Sequence, residues 1–168
     1  GMETVKRRTV LIAAAQEETT RALRGLFHEE THWERIEADG AVQALAAARQ
    51  YGTEIALAVM DISVLLEPEG LEAARYMQNP LTVDCPPLVV LEGGDGDDLE
   101  RLPADLFVSE TLHTPLVARI AARRVHVLME LHAYQRKDVT FQHAVSRDPL
   151  IGLLSGSTLS TAIEDALR

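Results

Sequence analysis

The stretch Ile-Ala-Leu-Ala-Val-Met-Asp at residues 55–61 decides the fold of this chain. Six consecutive apolar residues, Ile55–Met60, lead directly to one carboxylate, Asp61. A short apolar run of this kind is typical of a strand that is buried on both faces of a parallel sheet.

Strand and helix patterns alternate on both sides of this stretch. Further strands are predicted at residues 9–14, 33–36, 87–91 and 106–108, and helices at 22–27, 41–51 and 71–77, with a long helix from Leu116 onward. Strands that alternate with helices predict a parallel sheet covered by helices on both faces, with right-handed crossovers. We therefore predict an α/β fold with a doubly wound, five-stranded parallel sheet of flavodoxin-like type and a long C-terminal helical extension.

Composition excludes several classes of function. The 168 residues suffice for one domain and an appendage, and the net charge of −10 argues against a nucleic-acid partner, which needs clustered Lys and Arg. A single cysteine, Cys85, fits a reducing compartment. No apolar run is long enough to cross a bilayer, and the N-terminus lacks the plan of a signal peptide. We expect a cytoplasmic protein with neither nucleic-acid nor membrane partners.

The helix predicted at residues 116–146 contains neither Pro nor Gly and can be read in heptads. Its d-type positions are all apolar, whereas two a-type positions carry Arg124 and Asp138. Polar a-type residues weaken a coiled coil but fix its register, which predicts a marginal parallel homodimer. The alternative is an amphipathic helix that folds back on its own domain. The residues predicted to form the dimer stalk are Ile120, Val127, Leu131, Tyr134 and Phe141.

Four segments in order resemble the receiver (CheY-like) domain of two-component response regulators. They are the strand end Val59–Ile62, the helix entry Gly70–Glu72, the strand Pro87–Leu91 and the segment Ala104–Val108. The resemblance covers residues 2–115. It implies a role in two-component signalling or a phosphorelay, with a histidine kinase or an output domain as partner.

The resemblance also implies which residues form a phosphorylation site. Asp61 matches the phosphoacceptor, but the acidic pair that holds Mg²⁺ in the family falls on Ala14 and Ala15. The family's Thr or Ser falls on Glu92, and its Lys-Pro pair falls on Glu110 and the residue after it. We therefore predict a pseudo-receiver that has no catalytic residue and no cofactor. Mg²⁺ is expected only if the site is functional.

Four interpretations of this pocket remain open. The favoured one is that Asp61 is a relic acid at a strand end, hydrogen-bonded by loop amides. Alternatively, Glu92 imitates the charge of a bound phosphoryl group, or Asp61 is a working phosphoacceptor. The last is that the chain senses a small ligand at the carboxyl ends of the strands, where Ala14 and Ala15 leave space. The working phosphoacceptor requires displaced metal ligands, for which the candidates are Gln16, Glu17, Glu18, Glu92 and Glu110.

The last segment, residues 147–168, resembles the entry of a GGDEF (diguanylate cyclase) domain. Asp148, Leu150, Gly152 and Leu153 match that entry, whereas Ile151 replaces its Thr. The Gly-Gly-Asp/Glu-Glu-Phe motif itself is absent from the sequence. This segment is therefore expected to be the start or a remnant of an output domain, without cyclase activity of its own.

Overall fold

A computed structural model describes residues 7–81 and 83–146, with the side chains given as far as residue 135 except that of Glu29. The chain divides into two compact units, Gly1–Leu128 and Met129–Arg168. The first unit holds the whole sheet and the beginning of the long helix. The segment predicted to resemble an output domain, residues 147–168, lies outside the described residues.

Five parallel strands form one sheet in the order β2-β1-β3-β4-β5. The strands are β1 (Arg8–Ala13), β2 (Trp33–Ala38), β3 (Ile55–Asp61), β4 (Leu88–Glu92) and β5 (Glu110–His113). This order and direction confirm the predicted α/β, flavodoxin-like fold. The three central strands are the most apolar ones, since parallel strands covered on both faces must bury nearly every side chain.

The described residues form five α-helices, of which four lie between strands and the fifth follows β5. They are α1 (Glu17–Leu26), α2 (Ala41–Tyr51), the short α3 (Ile62–Leu65), α4 (Pro68–Met77) and α5 (Ala118–Ser146), with 3₁₀ turns at Glu29–Thr31 and Asp97–Arg101. Helix α4 begins earlier than predicted because Pro68, whose fixed φ suits a first turn, stands at its start. Among the described residues, no helix is long and apolar enough to cross a membrane.

The main core lies between the sheet and helices α2 and α4. Alanines on α2 and α4 let the two helices lie close to the strands, and Leu11, Met60 and Val90 fill the space beneath them. Gly70 allows the closest approach, since a Cβ atom built there would lie 1.8 Å from the carbonyl oxygen of Val64. The turn from α3 into α4 therefore requires a residue without a side chain.

The predicted last strand at residues 106–108 is wrong, because β5 begins at Glu110. Leu106 is buried in the core as a strand residue would be, which explains the misleading apolar pattern. However, the Gln78 side chain donates a hydrogen bond to the carbonyl of Phe107 (2.6 Å) and accepts one from its N–H (3.1 Å). The backbone groups of Phe107 are therefore unavailable to β4, and pairing with β4 starts at Glu110, opposite Val89.

Candidate functional site

The carboxyl ends of the strands bring the predicted pocket residues to one edge of the sheet. Strand β3 ends at Asp61, which pairs with Leu91 of β4. The next residue of β4, Glu92, pairs with His113 at the end of β5. On the other side of β3, strand β1 ends at Ala13, and Ala14 and Ala15 follow it.

Asp61 acts as the N-cap of the short helix α3. Its Oδ1 atom accepts hydrogen bonds from the backbone N–H of Ser63 (2.9 Å) and from the Ser63 hydroxyl (2.8 Å). A cap of this kind satisfies amide groups that the first turn of a helix leaves without a partner. Asp61 therefore has a structural task that does not depend on phosphorylation.

Glu92 is the one charged side chain among the described residues that is classed as buried, with 2% of its surface exposed. Its Oε1 atom accepts a hydrogen bond from the N–H of Gly96 (2.8 Å), which folds the Gly-rich loop back over the strand end. Its backbone carbonyl accepts from the N–H of Thr114 (3.1 Å). Glu92 thus connects the loop after β4 to the end of β5.

Residues 14 and 15, at the end of β1, offer no side-chain oxygen ligand to a metal ion. Ala14 is buried and Ala15 is exposed, and neither has a polar side-chain atom. Mg²⁺ requires several oxygen ligands in near-octahedral geometry. Within residues 7–81 and 83–146, no three His, Cys, Asp or Glu side chains come together in a way that could hold a metal ion. The residues of this edge therefore do not fit Mg²⁺.

Two of the candidate displaced ligands are paired with arginines, and two others line a cleft. Glu17 forms an ion pair with Arg24 (3.1 Å) and Glu110 forms one with Arg124 (3.6 Å). Gln16 and Glu18 line an open cleft of about 480 Å³ beside the strand ends, together with Thr19, Ala22, Gly93, Thr114, Pro115 and Leu116.

The placement of Glu110 and Thr111 at the Lys-Pro position needs correction. Glu110 is the first residue of β5 and pairs with Val89 of β4. The β4 residue that pairs with Asp61 is Leu91, two residues further along the strand. The Pro that follows β5 is Pro115, so the residue pair at this strand end is Thr114–Pro115. The Lys-Pro position was assigned to the wrong residues because the last strand was predicted too early in the sequence. Sequence reasoning also missed His113, whose position depends on the same register.

An ion pair of the first unit joins α1 to β2, away from this pocket. Arg24 donates to both carboxylate oxygens of Glu37, at 2.7 to 3.0 Å. The hydrogen bond from Arg24 lowers the pKa of Glu37, partly offset by desolvation. The same hydrogen bond raises the pKa of the Arg24 guanidinium. This pair fixes α1, whose first turn borders the cleft.

The residues predicted to form a dimer stalk lie on an exposed face of α5. Ile120, Val127, Leu131 and Tyr134 are 51–70% exposed, and Val117 is 58% exposed. Two other residues of the helix, Ala121 and Val125, are buried. Within the first unit, the buried side of α5 therefore carries Ala121 and Val125 and not the seam residues Ile120 and Val127. The side chain of the remaining stalk residue, at position 141, lies outside the described part of the chain.

Comparison with known proteins gives matches in structure but not in sequence. No model of a protein family matches the chain, and no curated protein matches it either. A receiver domain of a histidine kinase from Clostridium thermocellum is 20% identical, with a TM-score of 0.61 over 73% of this chain and 97% of that one. The receiver domain of AraT, a response regulator from Geobacillus stearothermophilus, is also 20% identical, with a TM-score of 0.63 over 77% and 98%.

A third similar structure comes from a protein with further domains. It is the N-terminal domain of a response regulator/sensory box/GGDEF three-domain protein from Carboxydothermus hydrogenoformans, 14% identical, with a TM-score of 0.57 over 76% of this chain and 98% of that one. Identities this low establish the fold and not the activity. The chain has the fold of CheY-like receiver domains.

Proposed function

We propose that this chain is a two-component signal-transduction module of the pseudo-receiver type, which regulates an attached output domain through protein contacts and dimerisation. The observation that carries the proposal is the pair Ala14–Ala15 at the end of β1, beside the strand that ends in Asp61. A phosphoacceptor pocket needs carboxylate ligands for a metal ion at this position, and these residues supply none.

The chemistry of phosphoryl transfer explains why this loss matters. A carboxylate that attacks a phosphoryl group brings negative charges together, and bound cations must neutralise them. In the described part of the chain, the Asp61 carboxylate accepts hydrogen bonds only from Ser63, and no Lys or Arg pairs with it. The position after β5, where the receiver family supplies a Lys, holds Thr114. Asp61 therefore lacks both sources of positive charge.

Glu92 supports a fixed signalling state. Its buried carboxylate stands where the family reads the phosphoryl group with a Thr or Ser, and it holds the adjoining loop through Gly96. In our proposal this permanent negative charge replaces the transient charge of a phosphoryl group. The Glu92→Thr variant is expected to change the loop conformation or the oligomeric state. Unchanged amide spectra and an unchanged oligomeric state in that variant would dispose of this part of the proposal.

The exposed seam of α5 supports dimerisation as the route to the output. Ile120, Val127, Leu131 and Tyr134 recur with heptad spacing and are at least half exposed. Apolar residues in this pattern are expected to pair with the same residues of a second copy, as in a parallel coiled coil. A change at the strand ends would then reach the output domain through the register or rotation of the paired helices.

Phosphodonor labelling tests the loss of phosphorylation. The full chain is incubated with acetyl phosphate and Mg²⁺, and intact mass spectrometry counts the phosphoryl groups added. We expect none on the wild-type chain. In a repaired variant carrying Ala14→Asp, Ala15→Asp, Glu92→Thr and Thr114→Lys, we expect one group, which the further change Asp61→Asn removes. Labelling of Asp61 in the wild-type chain would instead support the alternative of a working phosphoacceptor with displaced ligands.

The cleft beside the strand ends favours a second candidate function, that of a small-ligand sensor. Its volume of about 480 Å³ lies within the range of ligand pockets. Hydroxyl and amide groups of Gln16, Thr19 and Thr114 line it together with the carboxylate of Glu18. A metabolite screen by thermal shift tests this candidate, and a hit that Thr114→Val abolishes would support it.

A further inference from the structure

Arg124 interrupts the exposed apolar seam of α5 within the first unit. Val117, Ile120 and Val127 occupy the neighbouring core positions of the heptads and are 53–58% exposed. The Arg124 side chain lies among them at an a-type position and is 49% exposed. In a parallel pair of helices the two copies of an a-type residue face each other across the seam. Two unpaired guanidinium groups there would repel each other and lose part of their hydration, so Arg124 opposes pairing unless its charge is balanced.

Strand β5 of the same chain supplies the balancing charge. The Nη1 atom of Arg124 lies 3.6 Å from Oε1 of Glu110 and donates a hydrogen bond to the carbonyl of Thr111 (3.4 Å). The same carboxylate oxygen of Glu110 accepts from the N–H of Thr111 (3.0 Å), which fixes the carboxylate against its own strand. The backbone of β5 therefore sets the position at which Arg124 finds a negative partner.

We propose that Glu110 and Arg124 form a clamp that sets the strength of helix pairing. While Glu110 binds Arg124, the charge in the seam is balanced and two copies of the chain pair through α5. When this contact is lost, the free guanidinium opposes pairing. The inference rests on the proposed dimerisation through α5 and adds the residue pair that regulates it.

The clamp is a weak contact with room to open. The Arg124 side chain is about half exposed and that of Glu110 is 34% exposed, and ion pairs of this kind contribute little to stability. Arg124 also lines a cleft of about 210 Å³ between β5 and α5, together with Leu112 and Ile120. A small displacement of β5 is therefore sufficient to release the guanidinium, and the cleft gives the side chain space to move.

Strand β5 also connects the clamp to the pocket at the strand ends. The strand spans only four residues, Glu110–His113, and the N–H of the next residue, Thr114, donates to the carbonyl of Glu92 (3.1 Å). A displacement of β5 at the pocket therefore moves Glu110 at the other end of the strand. This gives the pocket a physical route to the pairing surface of α5.

Sedimentation velocity on the full chain tests the clamp. Glu110→Gln is expected to raise the Kd of the dimer by about two- to thirtyfold, the range for two partly exposed ion pairs lost per dimer. Glu34→Gln is the matched control, because it removes the same charge at an exposed position of β2, the other edge of the sheet. Removal of a negative charge from a chain of net charge −10 reduces repulsion between copies. The expected rise in Kd is therefore opposite in sign to the effect of net charge.

The variant Arg124→Leu supplies a second, independent measurement. It removes the charge from the seam and is expected to lower the Kd below that of the wild-type chain. In this background Glu110→Gln should change the Kd no more than Glu34→Gln does, because the partner of Glu110 is gone. Since Glu110 and Arg124 are both at least one-third exposed, these replacements are expected to leave the fold intact, which circular dichroism checks.

Three results would overturn the clamp, and they separate its failure from that of dimerisation. Equal Kd values for Glu110→Gln and Glu34→Gln, in a chain that does dimerise, would refute the clamp alone. The same rise in Kd after Glu110→Gln with and without Arg124 would also refute it, since another contact of Glu110 would then be responsible. A wild-type chain that stays monomeric would refute the proposed dimerisation and the clamp with it.

Discussion

The substitution Val127→Asp is expected to dissociate the proposed dimer without unfolding the protein. Val127 occupies a d-type position of the α5 seam and is 55% exposed in the single chain. Burial of a whole valine side chain contributes about 1.5–3 kcal/mol, so burial of the exposed half contributes about 0.8–1.6 kcal/mol. A symmetric dimer loses this amount twice, about 1.6–3.2 kcal/mol, which corresponds to a roughly 15- to 200-fold rise in Kd.

Sedimentation velocity over a concentration series measures this change. Ala122→Asp is the matched control, because Ala122 is exposed on the same helix but lies at the f-type position, farthest from the seam. Both variants change the net charge equally, so their difference isolates the seam. Since the chain carries a net charge of −10, the experiment is run near physiological ionic strength, where charge repulsion is screened beyond about 8 Å. A wild-type chain that stays monomeric at all concentrations, or equal Kd values for both variants, would refute the reasoning.

Three further predictions concern the fold around the pocket. Gly70→Ala places a Cβ atom 1.8 Å from the Val64 carbonyl oxygen, and the forced backbone shift should cost about 3 kcal/mol, or roughly 6–12 °C in Tm by calorimetry; an unchanged Tm would contradict the close approach. Glu37→Gln should lower Tm at pH 7, and this loss should shrink as the pH falls below the ordinary pKa of a glutamate, because stability from a depressed pKa disappears once the carboxylate is protonated; a difference that persists undiminished in strong acid would exclude the ion pair with Arg24 as its cause. Gln78→Ala removes two hydrogen bonds to the segment before β5 and should cost about 1–2 kcal/mol in urea unfolding, with faster amide exchange in that segment; unchanged exchange would show that the segment holds its place without them.

The apolar runs of the central strands made most of the fold predictable. A strand such as β3, buried on both faces, shows in the sequence as a short continuous apolar run, and its end places Asp61 at the sheet edge. The last strand was misplaced because Leu106 is apolar and buried outside the sheet. Two hydrogen bonds between the Gln78 side chain and the backbone of Phe107 keep that segment out of the sheet, and these residues are 29 positions apart in sequence. Such a long-range side-chain contact leaves no periodic pattern in the sequence.

The candidate site was predictable to the same extent. Ala14, Asp61 and Glu92 follow directly from strands whose ends are clear in the sequence, and the structure brings them to one edge. The pairing of Glu92 with His113 depends on the register of β5, which a shift of a few residues changes completely. The burial of Glu92 was also beyond prediction, because it depends on how the loop folds back through Gly96.

Binding of a phosphoryl analogue tests the central claim most directly. Beryllofluoride and Mg²⁺ are titrated into the full chain while the amide signals around Asp61, Glu92 and Thr114 are followed by NMR. Because Ala14 and Ala15 at the end of β1 have no side-chain metal ligands, we predict no saturable change at these amides, even at high concentrations. The repaired variant serves as the positive control. Saturable shifts centred on Asp61 in the wild-type chain would contradict the pseudo-receiver account and would mean that the pocket still functions as a phosphorylation switch.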